Sequence, residues 1–369
     1  MDMEISDDML RRLSAARILK ANTNRNNQIK NPPNNPSGYP LLNAPTTHLS
    51  FHLPSGHVFV ATTPDHLQVI SALHGKLLTT IPSKKYGCTL GTFTHHTSTL
   101  LHASTRIDHA VRYVSVHDNT YLRYFHGHTH SVTGLEMHPT DDVFMTSSRQ
   151  EGSVRIWDIR VKEREGAVMQ LLADPPHRPD AIGWDPLGLV FGVTSHHQVR
   201  LFDWRNPQLG PFMTFSPEES MCPGPHHGWT GAKFSPDGKY VLLIDSTGAH
   251  LVVDALTGME KKSMRVPLAY PKPIVAGDTV GAGGTCCWTP DSRYIVGTGM
   301  AEDDAKTGTV YIWPIDRLPG DHAMVAEWAG MHDVDPHHPA LLTQIAWSPT
   351  LAVMVTAAQD VILWQPLYE

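Results

Sequence analysis

The sequence is poor in cysteine, with four in 369 residues (Cys88, Cys222, Cys286 and Cys287), two of them adjacent. That excludes a disulfide framework and reads as reduced, inert thiols in an intracellular compartment. No apolar run approaches the roughly 18 residues of a membrane-spanning helix. The segment Met1 to Leu13 is acidic and then basic, without the hydrophobic stretch of a secretion signal. Asn35-Pro36-Ser37 fails as a glycosylation acceptor because proline occupies its middle position. Neither membrane insertion nor secretion is expected. A basic field is lacking as well: 29 Lys and Arg stand against 36 Asp and Glu, for a formal net charge of −7. Protein partners are therefore expected, and no direct nucleic-acid binding.

Catalytic signatures are missing too. There is no Gly-x-Ser-x-Gly elbow, phosphate loop or zinc-protease helix motif. Gly281-Ala282-Gly283-Gly284 lacks the Lys-Ser and the helix that would make it a nucleotide loop, and reads as a connection. His126, His128 and His130 alternate, and His196-His197 and His226-His227 are paired, yet no Cys or carboxylate stands beside them at zinc-site spacing. The expectation is no enzyme activity, no cofactor and no metal.

Proline and glycine, by contrast, are plentiful (29 and 28), which favours many short strands joined by turns. Histidine is abundant as well, at 24 residues, so surface charge shifts as pH falls toward 6. One turn unit recurs: an apolar or aromatic residue, one residue, Pro, a polar or Gly residue, then a β-branched run. It reads Met137-His138-Pro139, Trp184-Asp185-Pro186, Phe234-Ser235-Pro236-Asp237-Gly238, Trp288-Thr289-Pro290-Asp291 and Trp347-Ser348-Pro349. Prolines 139, 186, 236, 290 and 349 are 47, 50, 54 and 59 residues apart, a four-stranded blade period lengthened by loop insertions. Weaker copies upstream, Leu49 to Val60 around Pro54-Ser55-Gly56 and Leu90 to Leu101 around His95-His96, bring the total to seven units.

Each unit repeats an order of alternating strands, as in Tyr240 to Ile244, Ala249 to Asp254 and the Thr257-Gly258 turn. Strand c ends in Ile156-Trp157-Asp158, Leu201-Phe202-Asp203 or Ile312-Trp313-Pro314, and the seventh unit in Leu363-Trp364. The fold class expected is all-β, a seven-bladed WD40 β-propeller. Its most complete unit, the third, carries the residues of the structural relay of such repeats: His128, Ser148, Glu151 and Trp157. Glu151 replaces the usual Asp and follows a one-residue insertion, which predicts a strained or water-bridged relay. A structural role for His128 follows from the need of buried polar groups for partners.

A propeller must close its ring or expose strand edges. Ala15 to Lys20 is placed to supply the outermost strand of blade seven, after a helical turn capped by Ser6-Asp7-Asp8. The organisation expected is a closing segment over 1–20, a flexible Asn/Pro-rich loop over 21–46, and the propeller over 47–369, forming one domain with 1–20. Insertions fall at Ser216 to Gly228, Val266 to Gly284 and Gly320 to Pro339, where loops are either functional or disordered.

Several strings resemble a particular family. Ser83-Lys84-Lys85-Tyr86-Gly87, Arg112-Tyr113-Val114-Ser115-Val116-His117-Asp118-Asn119, Tyr121-Leu122-Arg123-Tyr124-Phe125 and Gly127-His128 are similar to the Swd-type WD-repeat subunit of COMPASS, the histone H3 lysine-4 methyltransferase complex. Gly210-Pro211-Phe212, Thr214-Phe215, Trp229-Thr230-Gly231 and Trp364-Gln365-Pro366 extend the likeness, which runs from Leu10 to Pro366. Departures fall in the 21–46 loop and the longer loops of blades five to seven. The resemblance implies a nuclear scaffold subunit, shared between COMPASS and the mRNA cleavage and polyadenylation factor with its transcription termination role. Its implied partners are a SET-domain histone methyltransferase, other COMPASS subunits, cleavage factor subunits and a protein phosphatase type-one module. The propeller itself would be a monomer within these hetero-complexes.

Propellers bind through loops, because strands spend their backbone polar groups on pairing. The loops joining strand d to the next strand a, and strand b to strand c, converge on one face. Lys84, Lys85, Tyr86, Arg106, Asp108, Arg149 and Trp229 are expected there as a cationic and aromatic partner-binding cluster. Arg and Trp are frequent hot spots, and Lys-Lys-Tyr suits an acidic or phosphorylated segment. The bland alternative is a solvated loop with ordinary lysines. Two competing functions are a direct reader of a modified histone tail or phosphorylated RNA polymerase II tail, and a hydrolase or metalloenzyme built on the propeller.

Overall fold

A computed structural model describes residues 4–19, 46–161, 167–172, 178–195, 198–217, 229–245, 248–265, 286–300, 308–316, 324–326, 344–357 and 360–366. The expected 21–46 loop, the three insertions, the Gly281 to Gly284 run and both paired-histidine sites lie outside these residues, apart from Thr46, from Ser216 and Pro217, and from Met324–Ala326, which forms a strand inside the third insertion.

Seven four-stranded antiparallel sheets form the blades. Blade one comprises strands a to d at His48–Phe51, Val58–Thr63, His66–Ser71 and Lys76–Pro82. Blade two comprises Gly91–Phe93, Thr99–Ala103, Val111–Ser115 and Thr120–Phe125. Blade three comprises Gly134–Met137, Val143–Ser148, Ser153–Asp158 and Met169–Leu172. Blades four, five and six span 181–215, 229–265 and 286–326 in the same order. In blade seven, Gln344–Trp347, Met354–Ala357 and Val361–Pro366 are joined by the N-terminal strand Leu13–Leu19, which pairs antiparallel with Val361–Pro366. The ring is closed by the first strand on the last.

Alternation explains why these blades stack. A strand sends successive side chains to opposite faces, so each sheet offers one apolar face to each neighbour. Seven apolar clusters result, and each straddles one pair of adjacent blades, including six with seven and seven with one. Strand b is buried along nearly its whole length in blades one, three and five, whereas strand d of blade one alternates exposed and half-buried positions over its first four residues. Burying each aliphatic or aromatic side chain contributes about 1.5–3 kcal/mol, so the inter-blade seams carry the stability.

The turn unit read from the sequence has a second use. The residue before each turn proline, or its equivalent, closes its own a–b turn and often reaches the turn of the next blade. His138 Nδ1 accepts from the Asp141 amide at 2.8 Å, while its Nε2–H donates to the Gly188 carbonyl of blade four at 3.0 Å. His52 reaches the His95 carbonyl of blade two, His95 the Asp141 carbonyl of blade three, and Ser348 the Gly56 carbonyl of blade one at 2.9 Å. These hydrogen bonds stitch one face of the ring together across the closing seam.

Ahead of the closing strand, Asp7–Arg11 forms one helical turn, and the Ser6 hydroxyl accepts from the Met9 amide at 3.2 Å. Ile5, Leu10 and Leu13 are buried in the cluster between blades six and seven. The Ile5 amide donates to Asp291, and the Tyr294 hydroxyl to Asp7, tying this segment to blade six.

Candidate partner-binding face

The relay of blade three sets the geometry of the face that carries the d–a and b–c loops. His128, in the loop before strand a, donates from Nδ1 to Glu151 Oε2 at 2.8 Å. Its Nε2 accepts from the Thr146 hydroxyl at 2.7 Å, and Thr146 Oγ1 in turn accepts the Trp157 indole N–H at 2.8 Å. The strand-b hydroxyl is therefore Thr146, not Ser148. Register decides this: Phe144 stands opposite Trp157 and Thr146 opposite Arg155, so the indole reaches Thr146 diagonally. Ser148 pairs with Ser153, one more two-residue repeat of about 6.6 Å away, and its buried hydroxyl has no hydrogen-bond partner.

Glu151 contacts His128 directly, so the expected water bridge is not needed. The longer side chain spans the inserted residue, and Arg155 Nη2 donates to its second oxygen at 2.6 Å. Burial opposes ionisation of Glu151, but hydrogen bonds from Arg155 and His128 outweigh it and hold the carboxyl down at about 2. Burial also lowers His128, against the pull of Glu151, which leaves the imidazole neutral at physiological pH.

Blade two supplies the neighbouring loops, and the structure brings five of the candidate residues together there. Backbone amides of Thr105 and Arg106 donate to the Tyr86 carbonyl at 3.0 and 2.7 Å. Arg106 bonds the Lys84 carbonyl at 2.8 Å and pairs with Asp65 at 2.7 Å. Gly87, at φ +67°, permits this contact, since a Cβ there would lie 2.1 Å from Thr105 Oγ1. Asp108 grips Arg112 through two bonds of 2.8 and 2.9 Å, and this hydrogen bonding pulls its carboxyl below the usual carboxylate range.

Arg112 belongs to this loop cluster and was absent from the residues expected there. It is 1% exposed, bonds Ser104, and lies 3.7 Å from the centre of the Tyr86 ring, with Tyr124 and Tyr121 further out. Such stacking is worth up to about 2 kcal/mol when desolvated. Its signal was the Asp-x-x-x-Arg spacing that runs from the b–c loop into strand c, an i, i+4 pair of opposite charge. Lys85 approaches Tyr86 from outside, at 5.0 Å.

Two candidates do not join this cluster. Arg149 pairs with Asp180 at the entrance to blade four, at 2.8 Å. Trp229 is not a surface anchor: it begins strand a of blade five and is 1% exposed, packed with Ala181, Val199, Leu201 and Leu243. Its backbone amide serves the face by bonding Asp180. The expected cationic cluster is consequently reduced, because Arg106, Arg112 and Arg149 each face a carboxylate; Lys84, Lys85 and Arg106 are exposed.

Among the described residues no group of three or more His, Cys, Asp or Glu is placed to hold a metal ion. Cys88, Cys286 and Cys287 are buried thiols outside any disulfide, and burial raises the Cys88 and Cys287 thiols, the latter to about 12. No described helix is long and apolar enough to cross a membrane.

Comparison with known proteins agrees with this architecture. The family described as WD domain, G-beta repeat matches residues 119–158, which run from the start of strand d of blade two to the end of strand c of blade three. WD repeat-containing protein 82 of Drosophila melanogaster is 30% identical over 372 residues, covering 100% of this chain and 99% of that protein. COMPASS component SWD2 of Saccharomyces cerevisiae is 32% identical over 271 residues, 73% of this chain and 76% of the relative. Set1 complex component swd2 of Schizosaccharomyces pombe is 35% identical over 256 residues, covering 68% and 67%. A seven-bladed ring, its closing strand and an end-to-end likeness at this level of identity lead to one conclusion: the chain belongs to the Swd2-type family of WD-repeat proteins.

Proposed function

We propose that this protein is a non-catalytic scaffold subunit of a Set1/COMPASS-type histone H3 lysine-4 methyltransferase complex, acting in the nucleus. The observation that carries this reading is similarity over at least two thirds of the chain to relatives named as components of the COMPASS and Set1 complexes. The physical chemistry agrees, because the described polar clusters are spent on structure. His128 and Glu151 serve the relay, and the buried thiols are held protonated. What remains for function is a rigid surface of loops.

The finer reading places the docking of partners on the blade-two loops around Lys84, Lys85, Tyr86, Arg106 and Asp108. The contribution to cleavage and polyadenylation, transcription termination and a protein phosphatase type-one module belongs to the same proposal, and the family resemblance supports it. The test is affinity purification of the tagged chain from its own cells, with quantitative mass spectrometry. A SET-domain methyltransferase is expected in the wild-type eluate, and its recovery is expected to fall about tenfold with Lys84→Glu/Lys85→Glu. A chain recovered alone sinks the scaffold reading; undiminished recovery by the double variant sinks the choice of face.

A further inference from the structure

The closing strand does not run straight along its partner. Ala15 stands opposite Trp364 and Arg17 opposite Leu363, so Ala16 is an extra residue bulged out of the ladder. Residues directly opposite share a face of the sheet, and a slip of one residue reverses that face. Without the bulge Arg17 would stand opposite Ile362, which packs toward blade six. With it, Arg17 takes the side of Leu363, which packs toward blade one. The bulge therefore turns one cation across the closing seam.

What Arg17 meets there is basic. The turn that joins strands c and d of blade one runs through His74 and Gly75 to Lys76. Gly75 has φ +57°, and a Cβ there would fall 2.5 Å from Arg17 Cγ, so glycine is what lets the arginine stem cross the turn. Arg17, His74 and Lys76 are exposed, and with Leu73 and Gln365 they line an open cleft of about 410 Å³. None of the residues lining it is acidic. Elsewhere cations are paired: seven arginines, Arg106, Arg112 and Arg149 among them, face a carboxylate, as suits a chain of net charge −7. Among the described residues the side chains of Arg17, His74 and Lys76 have neither an ion pair nor a hydrogen bond. Like charges gathered without a counter-charge repel one another, and a bound anion relieves that repulsion.

From this geometry we infer that the cleft binds the phosphate group of a free, small phosphate monoester through Arg17, His74 and Lys76, and that the ligand fastens the closing strand to blade one. A guanidinium, an ammonium and an imidazole drawn from two elements suit the three terminal oxygens of a dianion better than the two of a carboxylate. The volume is that of a small-ligand site. No aromatic side chain lines the cleft to stack a base, and the acidic balance of the chain repels a long polyanion such as a nucleic acid. The c–d turn belongs to the face opposite the blade-two loops, so this site stands or falls without them.

The test is isothermal titration of the full-length chain with glycerol phosphate at physiological salt. One site with Kd below about 1 mM is expected. Arg17→Gln and Lys76→Gln are each expected to weaken binding about tenfold, and Lys239→Gln, in blade five, to leave it unchanged. Glycerol phosphate is also expected to raise the melting temperature of the wild type and of Lys239→Gln, and to raise that of Arg17→Gln less. In phosphate-free buffer both cleft variants are expected to melt no lower than the wild type, because each removes a repelling charge; this separates lost contacts from lost folding. No binding, an equal response to sodium acetate at matched ionic strength, or an unchanged Kd in both cleft variants overturns the inference. A phosphoserine peptide that binds tenfold more tightly than glycerol phosphate overturns the free ligand and gives the cleft to a protein partner.

Discussion

A single hydroxyl organises the relay of blade three, and its neighbour two positions away does nothing comparable. Thr146→Val leaves the His128 Nε2 and the Trp157 indole N–H without their shared partner. Each orphaned buried group costs about 1–3 kcal/mol, so the variant is expected to be destabilised by roughly 2–6 kcal/mol in urea denaturation. Ser148→Ala removes a buried hydroxyl that has no hydrogen-bond partner, and is expected to change stability by less than about 0.5 kcal/mol or to raise it. The reverse order of these two effects would return the role to Ser148. Both residues were visible in the sequence at plausible spacing, and only the pairing of Thr146 with Arg155 and of Phe144 with Trp157 decided between them. Trp229 makes the same point about surfaces. A tryptophan at the end of a predicted loop looks like an anchor, yet one step into strand a it turns into the core between blades four and five.

At the scale of elements, the N-terminal segment is the piece whose removal the fold cannot absorb. Deleting residues 1–20 bares the backbone edge of Val361–Pro366 and withdraws Ile5, Leu10 and Leu13 from the cluster between blades six and seven. Those three side chains alone are worth roughly 5–9 kcal/mol at about 1.5–3 kcal/mol each. The truncated protein is expected to aggregate on size-exclusion chromatography or to melt far lower, and an unchanged melting temperature would refute the closing role. The strand and its capped helical turn were legible beforehand, because Ser6-Asp7-Asp8 is a local signal and an unpaired edge is a topological debt. The register was not: the strand occupies Leu13–Leu19, with a bulge between Ala15 and Arg17 that no propensity announces.

For the whole molecule, burial of many histidines makes stability depend on pH. His48, His102 and His250 are each lowered to about 4, by burial first of all. A histidine with a depressed folded pKa is neutral in both states above about 6.5, and below that the unfolded chain takes up the proton first. Stability from these three groups is therefore full above about pH 6.5 and falls as pH drops toward 4. Glu136 and Asp180, both raised to about 7 by burial, work in the opposite direction between the carboxylate range and 7. Three histidines outnumber two acids, so the melting temperature is expected to fall on acidification from pH 6.5 to 4.5. His102→Leu is expected to flatten that slope by one proton, about 1.4 kcal/mol per pH unit. An identical slope in the variant would show that His102 is charged in the folded protein.

The sequence by itself determined the number of blades, the strand order and the closing segment. These follow from repeated turn prolines and alternating side chains, which are local and periodic signals. Tertiary structure alone decided which hydroxyl completes the relay, which arginines meet carboxylates, and that Arg112 lies against the Tyr86 ring while Trp229 is buried. Those outcomes depend on strand register and on loops from different blades meeting in space, and neither is written in any short stretch of residues.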